Sequence, residues 1–243
     1  MKKSGNFRHF PYKHPTFGTK HKPKAKSAWE GSVYYWWWQY LRRNQDYLET
    51  CANDGRGKLA ETYKEFGDVR ADDFKAWWSE GGRGVHLFAE PRAEDSIRVL
   101  EPNEAALGFD EALTVSIPMN LPRKAIEQRL KQLLDVHHTG KRGHQLAKKS
   151  KARYRVQGQP NIPALIQGLM VYDAVKQAEG VLPKTPHWKI ATDLKIVPLA
   201  QRVLAGDTAA EKLDKKRILT ATVSRYLRRV QESIQQAGEG VFP

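Results

Sequence analysis

Arg217, Ser224, Arg225 and Arg228 fall on one side of a helical period near the end of this 243-residue chain. Leu219, Val223, Leu227, Val230 and Ile234 fall on the other side, and the small Ala221 lies between the arginines. A helix of this pattern packs through its apolar stripe and presents a smooth strip of guanidinium groups. Guanidinium is planar and always charged, and it pairs bidentately with phosphate or with the outer edge of guanine. The chemistry on offer is recognition of a nucleic acid by a helix of the kind that enters a major groove. Arg229 adds a further cation beside the strip.

The rest of the charge is concentrated as well. The net charge is +14. Residues 1–27 carry eight Lys/Arg and no acid, among them Lys20, Lys22, Lys24 and Lys26. Residues 138–155 carry seven and no acid: Lys141, Arg142, Lys148, Lys149, Lys151, Arg153 and Arg155. Residues 28–137 are net −5 and residues 156–243 net +4, so the two short segments exceed the whole excess. Such density suits phosphate binding, in which each neutralised phosphate releases counterions. Duplex DNA is the favoured partner. RNA or a single strand is the alternative, because Phe7, Phe10, Tyr12 and Phe17 are interleaved with the N-terminal cations and aromatics stack on unpaired bases. A third candidate surface is Tyr35, Trp38 and Arg42, on the outward side of the aromatic run Tyr34–Trp38. It is a stacking platform or, better, a protein-partner surface, since Trp, Tyr and Arg are the usual anchors. A purely protein-binding adaptor, using residues 28–137, is the remaining reading.

Other chemistries find no footing. One cysteine, Cys51, excludes a disulfide framework and a cysteine-rich zinc site. His137, His138 and His144 match no zinc spacing, so no metal or cofactor is expected. There is no Gly-rich phosphate loop with its lysine and no Gly-x-Ser-x-Gly. Asp72-Asp73 and Glu94-Asp95 are adjacent pairs, which do not share a helix face. The expectation is a non-enzyme. No apolar run has the length of a membrane span, and the N-terminal residues lack the apolar segment of a signal peptide after their lysines, so a soluble cytoplasmic protein is expected, without a membrane partner.

These candidates need elements to position them. Ser27 and Glu30 form a capping-box pattern that opens a helix running to Ala52. Its core face is Val33, Trp37, Tyr40, Leu41, Leu48 and Cys51, while Tyr35, Gln39, Arg42 and Arg43 point away. Short helices follow in "KLAETYKEFG" and in "ADDFKAWWSEGG", then an extended "VHLFAEP". "SIRVLEP" and "ALTVSIPM" alternate as strands of a small hairpin. "LPRKAIEQRLKQLLDVHH" is an amphipathic helix with the stripe Ile126, Leu130, Leu133 and Leu134. Helices follow in "IPALIQGLMVYDAVKQAEG" and in "TPHWKIATDLKI", the second capped by Thr185, with Trp188, Ile190, Ala191 and Leu194 inward. A short one is expected in "VPLAQRVLAG" before the long arginine-bearing helix. The fold class is mainly α with a small β-hairpin. The expected division is a disordered basic arm (1–27), a helical domain with the hairpin (28–137), a basic linker (138–158) and a helix-turn-helix-like domain (159–243).

"WWQYLRRNQDY" at 37–47 resembles the motif W-x-[YF]-L-R-R-N-x-[DA]-Y of poorly characterised regulators encoded by bacterial integrative elements and phages. "WKIATDLKI" and "ILTATVSRYLRRVQESIQQAG" resemble their C-terminal helix-turn-helix part, through Trp188, Ile190 and Ala191 and through Arg225, Arg228 and Arg229. The resemblance implies a bacterial DNA-binding protein that controls genes of a mobile element. The N-terminal arm, the strand-like segments and the helix at 122–137 have no counterpart in the shorter members, which leaves a subunit of a larger nucleoprotein assembly as the variant of that reading.

Overall fold

The computed structural model describes residues 10–90, 113–137, 150–180, 182–201 and 206–242. The described chain is mainly helical. In order the helices are α1 (Ser27–Glu30), α2 (Val33–Leu41), α3 (Gln45–Ala52), α4 (Ala60–Phe66), α5 (Phe74–Ser79), α6 (Arg83–Phe88), α7 (Arg123–His137), α8 (Ile162–Glu179), α9 (His187–Asp193), α10 (Pro198–Gln201) and α11 (Ala209–Gly238).

The single helix expected from Ser27 to Ala52 is three. Gly31 and Ser32 separate α1 from α2, and Arg42–Asn44 separate α2 from α3. The Ser27/Glu30 box does not form, because Lys26 already stands in helical geometry at the cap position. Asn44 causes the second break. Its side-chain oxygen accepts from Tyr47 N at 2.9 Å and caps α3, while its Nδ2 donates to Ile234 O at 2.8 Å. Asn44 is thereby both a helix start and a tie to the last helix. Its neighbour Arg43 reaches α8, donating to Asp173 at 2.7 and 2.5 Å.

Asp73 caps α5 through Ala76 N. The segment expected to be extended is instead α6. Gly81 and Gly82 take positive φ, 56° and 75°, which lets the chain turn and start a new helix at Arg83. Gly84 is buried in α6, where a Cβ would lie 2.1 Å from the Trp78 ring.

No strand is present among the described residues. The described part of the second expected strand, residues 113–119, forms no ladder, and most of it is exposed. Its expected partner, residues 96–102, lies outside the described residues. Alternation alone does not make residues 113–119 a strand when neither face is buried. The amphipathic α7 follows, and none of its residues is buried; Leu134 and Val136 are exposed.

The main core joins both halves of the chain. Val33, Trp37, Tyr40, Leu41, Phe66, Trp77 and Phe88 pack with Val156, Leu165, Leu169, Val230, Ile234 and Phe242. The expected boundary at 138–158 therefore does not divide two cores. Val156 bridges to Phe242, Tyr154 N donates to Leu87 O at 2.9 Å, and Gln157 N donates to Phe242 O at 2.8 Å. A second, smaller core holds Val171 and Val175 of α8, Ile190 and Ala191 of α9, Ala200 of α10, and Leu219 and Val223 of α11.

The arm is also not free where it is described. Phe10 packs on Tyr34 and Trp78, Phe17 on Trp29 and Phe74, and Tyr12 donates to Gly158 O.

Asn44→Ala removes a cap and leaves the Ile234 carbonyl without its donor. It is expected to cost about 2 kcal/mol, read as a lower urea midpoint with an unchanged slope.

Candidate nucleic-acid interface

The strip of arginines depends on how α11 is held. Thr208 opens the helix with a reciprocal capping box to Glu211. The hydrogen bonds from Thr208 hold the Glu211 carboxyl below its ordinary pKa, so it stays ionised at the positive end of the helix. Thirty residues at about 1.5 Å each give a rod of about 45 Å. Leu219 and Val223 enter the smaller core, and Val230 and Ile234 the main one, so the rod is gripped along one side by both. Leu227 is partly buried between them.

The opposite side is open. Arg217, Ser224, Arg225, Arg228 and Arg229 are all exposed, with the exposed Ala221 among them. Arg217 to Arg228 covers about 16 Å of the rod, comparable with the roughly 12 Å width of a major groove. Ser224 Oγ donates back to Thr220 O at 3.1 Å, which lays it flat on the helix. Arg225 donates to Thr222 Oγ1 at 3.1 Å. Neither Arg217, Arg225, Arg228 nor Arg229 has a carboxylate partner within ion-pair distance among the described residues. Asp214 and Glu232 stand toward the two ends of the strip in sequence.

The supporting helix is α9. Ile190 and Ala191 are buried against α11 and α8, with Trp188 and Leu194 partly buried, as the sequence pattern requires. Thr185 does not cap it; Pro186 occupies that position. Lys216 lies 4.6 Å over the Trp188 ring, a cation–π contact joining α9 to α11. Gln201 Nε2 donates to Ala191 O at 2.9 Å and fixes α10 on α9. Tyr226 donates to Gln167 of α8 at 2.7 Å. Between α9 and α11 the chain makes α10, not the single three- to four-residue turn of a simple helix-turn-helix.

The other candidates fare differently. Lys20, Lys22, Lys24 and Lys26 are exposed. Lys141, Arg142, Lys148 and Lys149 lie outside the described residues. Lys151 and Arg155 are exposed, whereas Arg153 donates to Glu65 at 2.5 Å and is neutralised there, together with His86 at 3.2 Å from the same carboxylate.

The aromatic platform is not a platform. Trp38 is 1% exposed and packs on Phe74 and Trp77. Arg42 lies 4.6 Å over its ring, donates to Val69 O at 3.0 Å and pairs with Asp72 at 2.5 Å. The Tyr35 hydroxyl accepts from Gln39 Nε2 at 2.8 Å while its ring meets Phe74 edge-on. Helix phasing places these residues outside, but α5 and the segment before it come over that side, burying Trp38 and leaving Tyr35 and Arg42 half-buried. Phe10, Tyr12 and Phe17 are likewise partly buried against the main core, and Phe7 lies outside the described residues.

The described residues hold no group of three or more His, Cys, Asp or Glu suited to a metal. Cys51 is buried and burial raises its thiol pKa. No described helix is long and apolar enough to cross a membrane. No protein-family model, curated protein or solved structure matches the chain.

Trp38→Ala opens a large hole between α2 and α5. It is expected to cost about 3–5 kcal/mol, measured by thermal unfolding. A variant with unchanged Tm would restore Trp38 to the surface.

Proposed function

We propose that this protein binds duplex DNA through the exposed strip of α11, as a regulator or accessory factor of a bacterial mobile element. The observation that carries the reading is the contrast between its cations. Arg42, Arg43, Arg70, Arg83 and Arg153 are all committed to carboxylates. The arginines of α11 are not, and they sit on a rod fixed by two cores. The row of guanidinium groups is exposed on a rigid rod, so it meets phosphates or base edges without first breaking an ion pair. The small Ala221 and Ser224 let a groove wall approach between the arginines.

The likeness of "WWQYLRRNQDY" and "WKIATDLKI" to regulators of integrative elements and phages supports the mobile-element part. Several residues of the first stretch work inside the fold: Trp37 fills the core, Arg43 ties to Asp173, Asn44 caps α3, and Tyr47 donates to Gly67 O at 2.7 Å. That stretch therefore builds the scaffold, and the contact falls to α11. The single-strand reading is weakened by the inward turn of the arm's described aromatics.

A salt series with a duplex tests this directly. The logarithm of the affinity should fall with the logarithm of salt with a slope near −0.9 per phosphate contact, so several contacts give a slope of about −3 or steeper. A flat response would overturn the proposal. Arg225→Ala combined with Arg228→Ala should weaken a selected sequence more than random DNA, by about 1–3 kcal/mol for each lost base contact. Equal losses on both would reduce the strip to a phosphate contact.

A further inference from the structure

The N-terminal cations form a second built feature. Phe17 is set between Trp29 and Phe74, at 5.3 and 5.9 Å between ring centroids. From there the chain leaves and returns in a tight turn. Lys24 N donates to Phe17 O at 3.0 Å, Thr19 N to Lys22 O at 3.1 Å, and Lys22 N to Thr19 O at 3.2 Å. Gly18 pairs with Pro23 across the turn. Gly18 has φ 76°, and a Cβ there would lie 2.3 Å from Lys22 O and 2.9 Å from Lys24 N, so only glycine fits without strain.

Lys20, His21 and Lys22 are exposed at the tip of this turn, and Lys24 and Lys26 are exposed on its return. None of these lysines has a carboxylate partner among the described residues; Lys24 Nζ donates only to Thr16 Oγ1, at 3.1 Å. No acid precedes Glu30 in the chain. Phe10, Tyr12 and Phe17 are partly buried against the main core, and residues 18–26 contain no Phe, Tyr or Trp, so the turn itself presents charge without a stacking ring.

We propose that this Phe17-anchored turn is a preformed clamp for the phosphate backbone of duplex DNA, separate from the strip on α11 and indifferent to sequence. This rests on the DNA-binding reading above but assigns a different surface and a different task. The lysines supply counterion release. The folded turn supplies pre-ordering, so the backbone closure is not lost at binding as it is for a flexible basic tail. The clamp holds the duplex wherever α11 meets it, and the strip of α11 then discriminates.

The test uses the full chain, a random-sequence duplex and fluorescence anisotropy across a salt series. Lys20→Gln combined with Lys22→Gln should flatten the slope by about 1.8, two contacts at about 0.9 each. Gly18→Ala changes no charge and no core side chain, yet should weaken binding roughly five-fold by disordering the turn. Circular dichroism confirms that both variants remain folded. An unchanged slope in the lysine variant overturns the clamp, and wild-type affinity in Gly18→Ala overturns its being preformed. Duplex binding that depends on Arg225 and Arg228 but not on the turn overturns this inference alone. An unsubstituted chain that binds no duplex overturns both.

Discussion

Trp37 is the contact on which the rest of the structure depends. Its ring is fully buried and meets Phe66, Phe88, Tyr154 and Phe242, and its indole N–H reaches Ala237 O at 3.4 Å. Those partners come from α4, α6, the segment after residue 150, the end of α11 and the residues that follow it. One side chain therefore fastens the first long helix of the chain to the last. A large aromatic buries 150–250 Å² and makes contacts on every side, so few residues could join so many elements. Arg43 and Asn44 add polar ties on the same side, to α8 and α11. These bonds are directional, and they set the angle at which α11 lies against α2 and α8.

That fastening explains the electrostatic layout. In the α2–α6 body most arginines are folded into ion pairs: Arg42 with Asp72, Arg70 with Asp68, Arg83 with Glu80. The Arg70 contact holds the Asp68 carboxyl below its ordinary pKa. Exposed pairs of this kind contribute little to stability, but they leave little free positive charge on that body. The excess is displaced to α11, to the turn at Gly18–Pro23 and to Lys151 and Arg155. Charge that is separated from its counter-charges by rigid structure keeps its field, which is what a polyanion partner requires.

Much of the scaffold for the strip was legible in the sequence. The two-faced pattern of α11 was enough, because a period of about 3.6 with apolar residues on one side allows only one orientation against a core. The inward residues of α9 are equally local. What was not legible came from neighbours distant in sequence. Trp38 and Tyr35 lie on the outer side of α2 by phasing, yet α5 covers them. The break at Asn44 was hidden because its side chain is satisfied only when Ile234 O is at hand. The second expected strand differs for the complementary reason: residues 113–119 alternate, but their described side chains are not buried.

The sequence by itself determined which residues carry charge without nearby acids, which face of α11 is apolar, and that helices would dominate. These follow from composition and period, which a chain cannot alter by folding. Only the tertiary structure decided that the aromatic run is interior, that the basic arm is anchored by Phe10, Tyr12 and Phe17, and that residues 150–158 belong to a core shared by both halves. Arg153 is the sharpest case: as sequence it is one cation of a basic run, and in the fold it is a partner of Glu65. Whether a cation is available to a ligand depends on which carboxylate the fold brings within about 4 Å of it, and that is a long-range property of the chain.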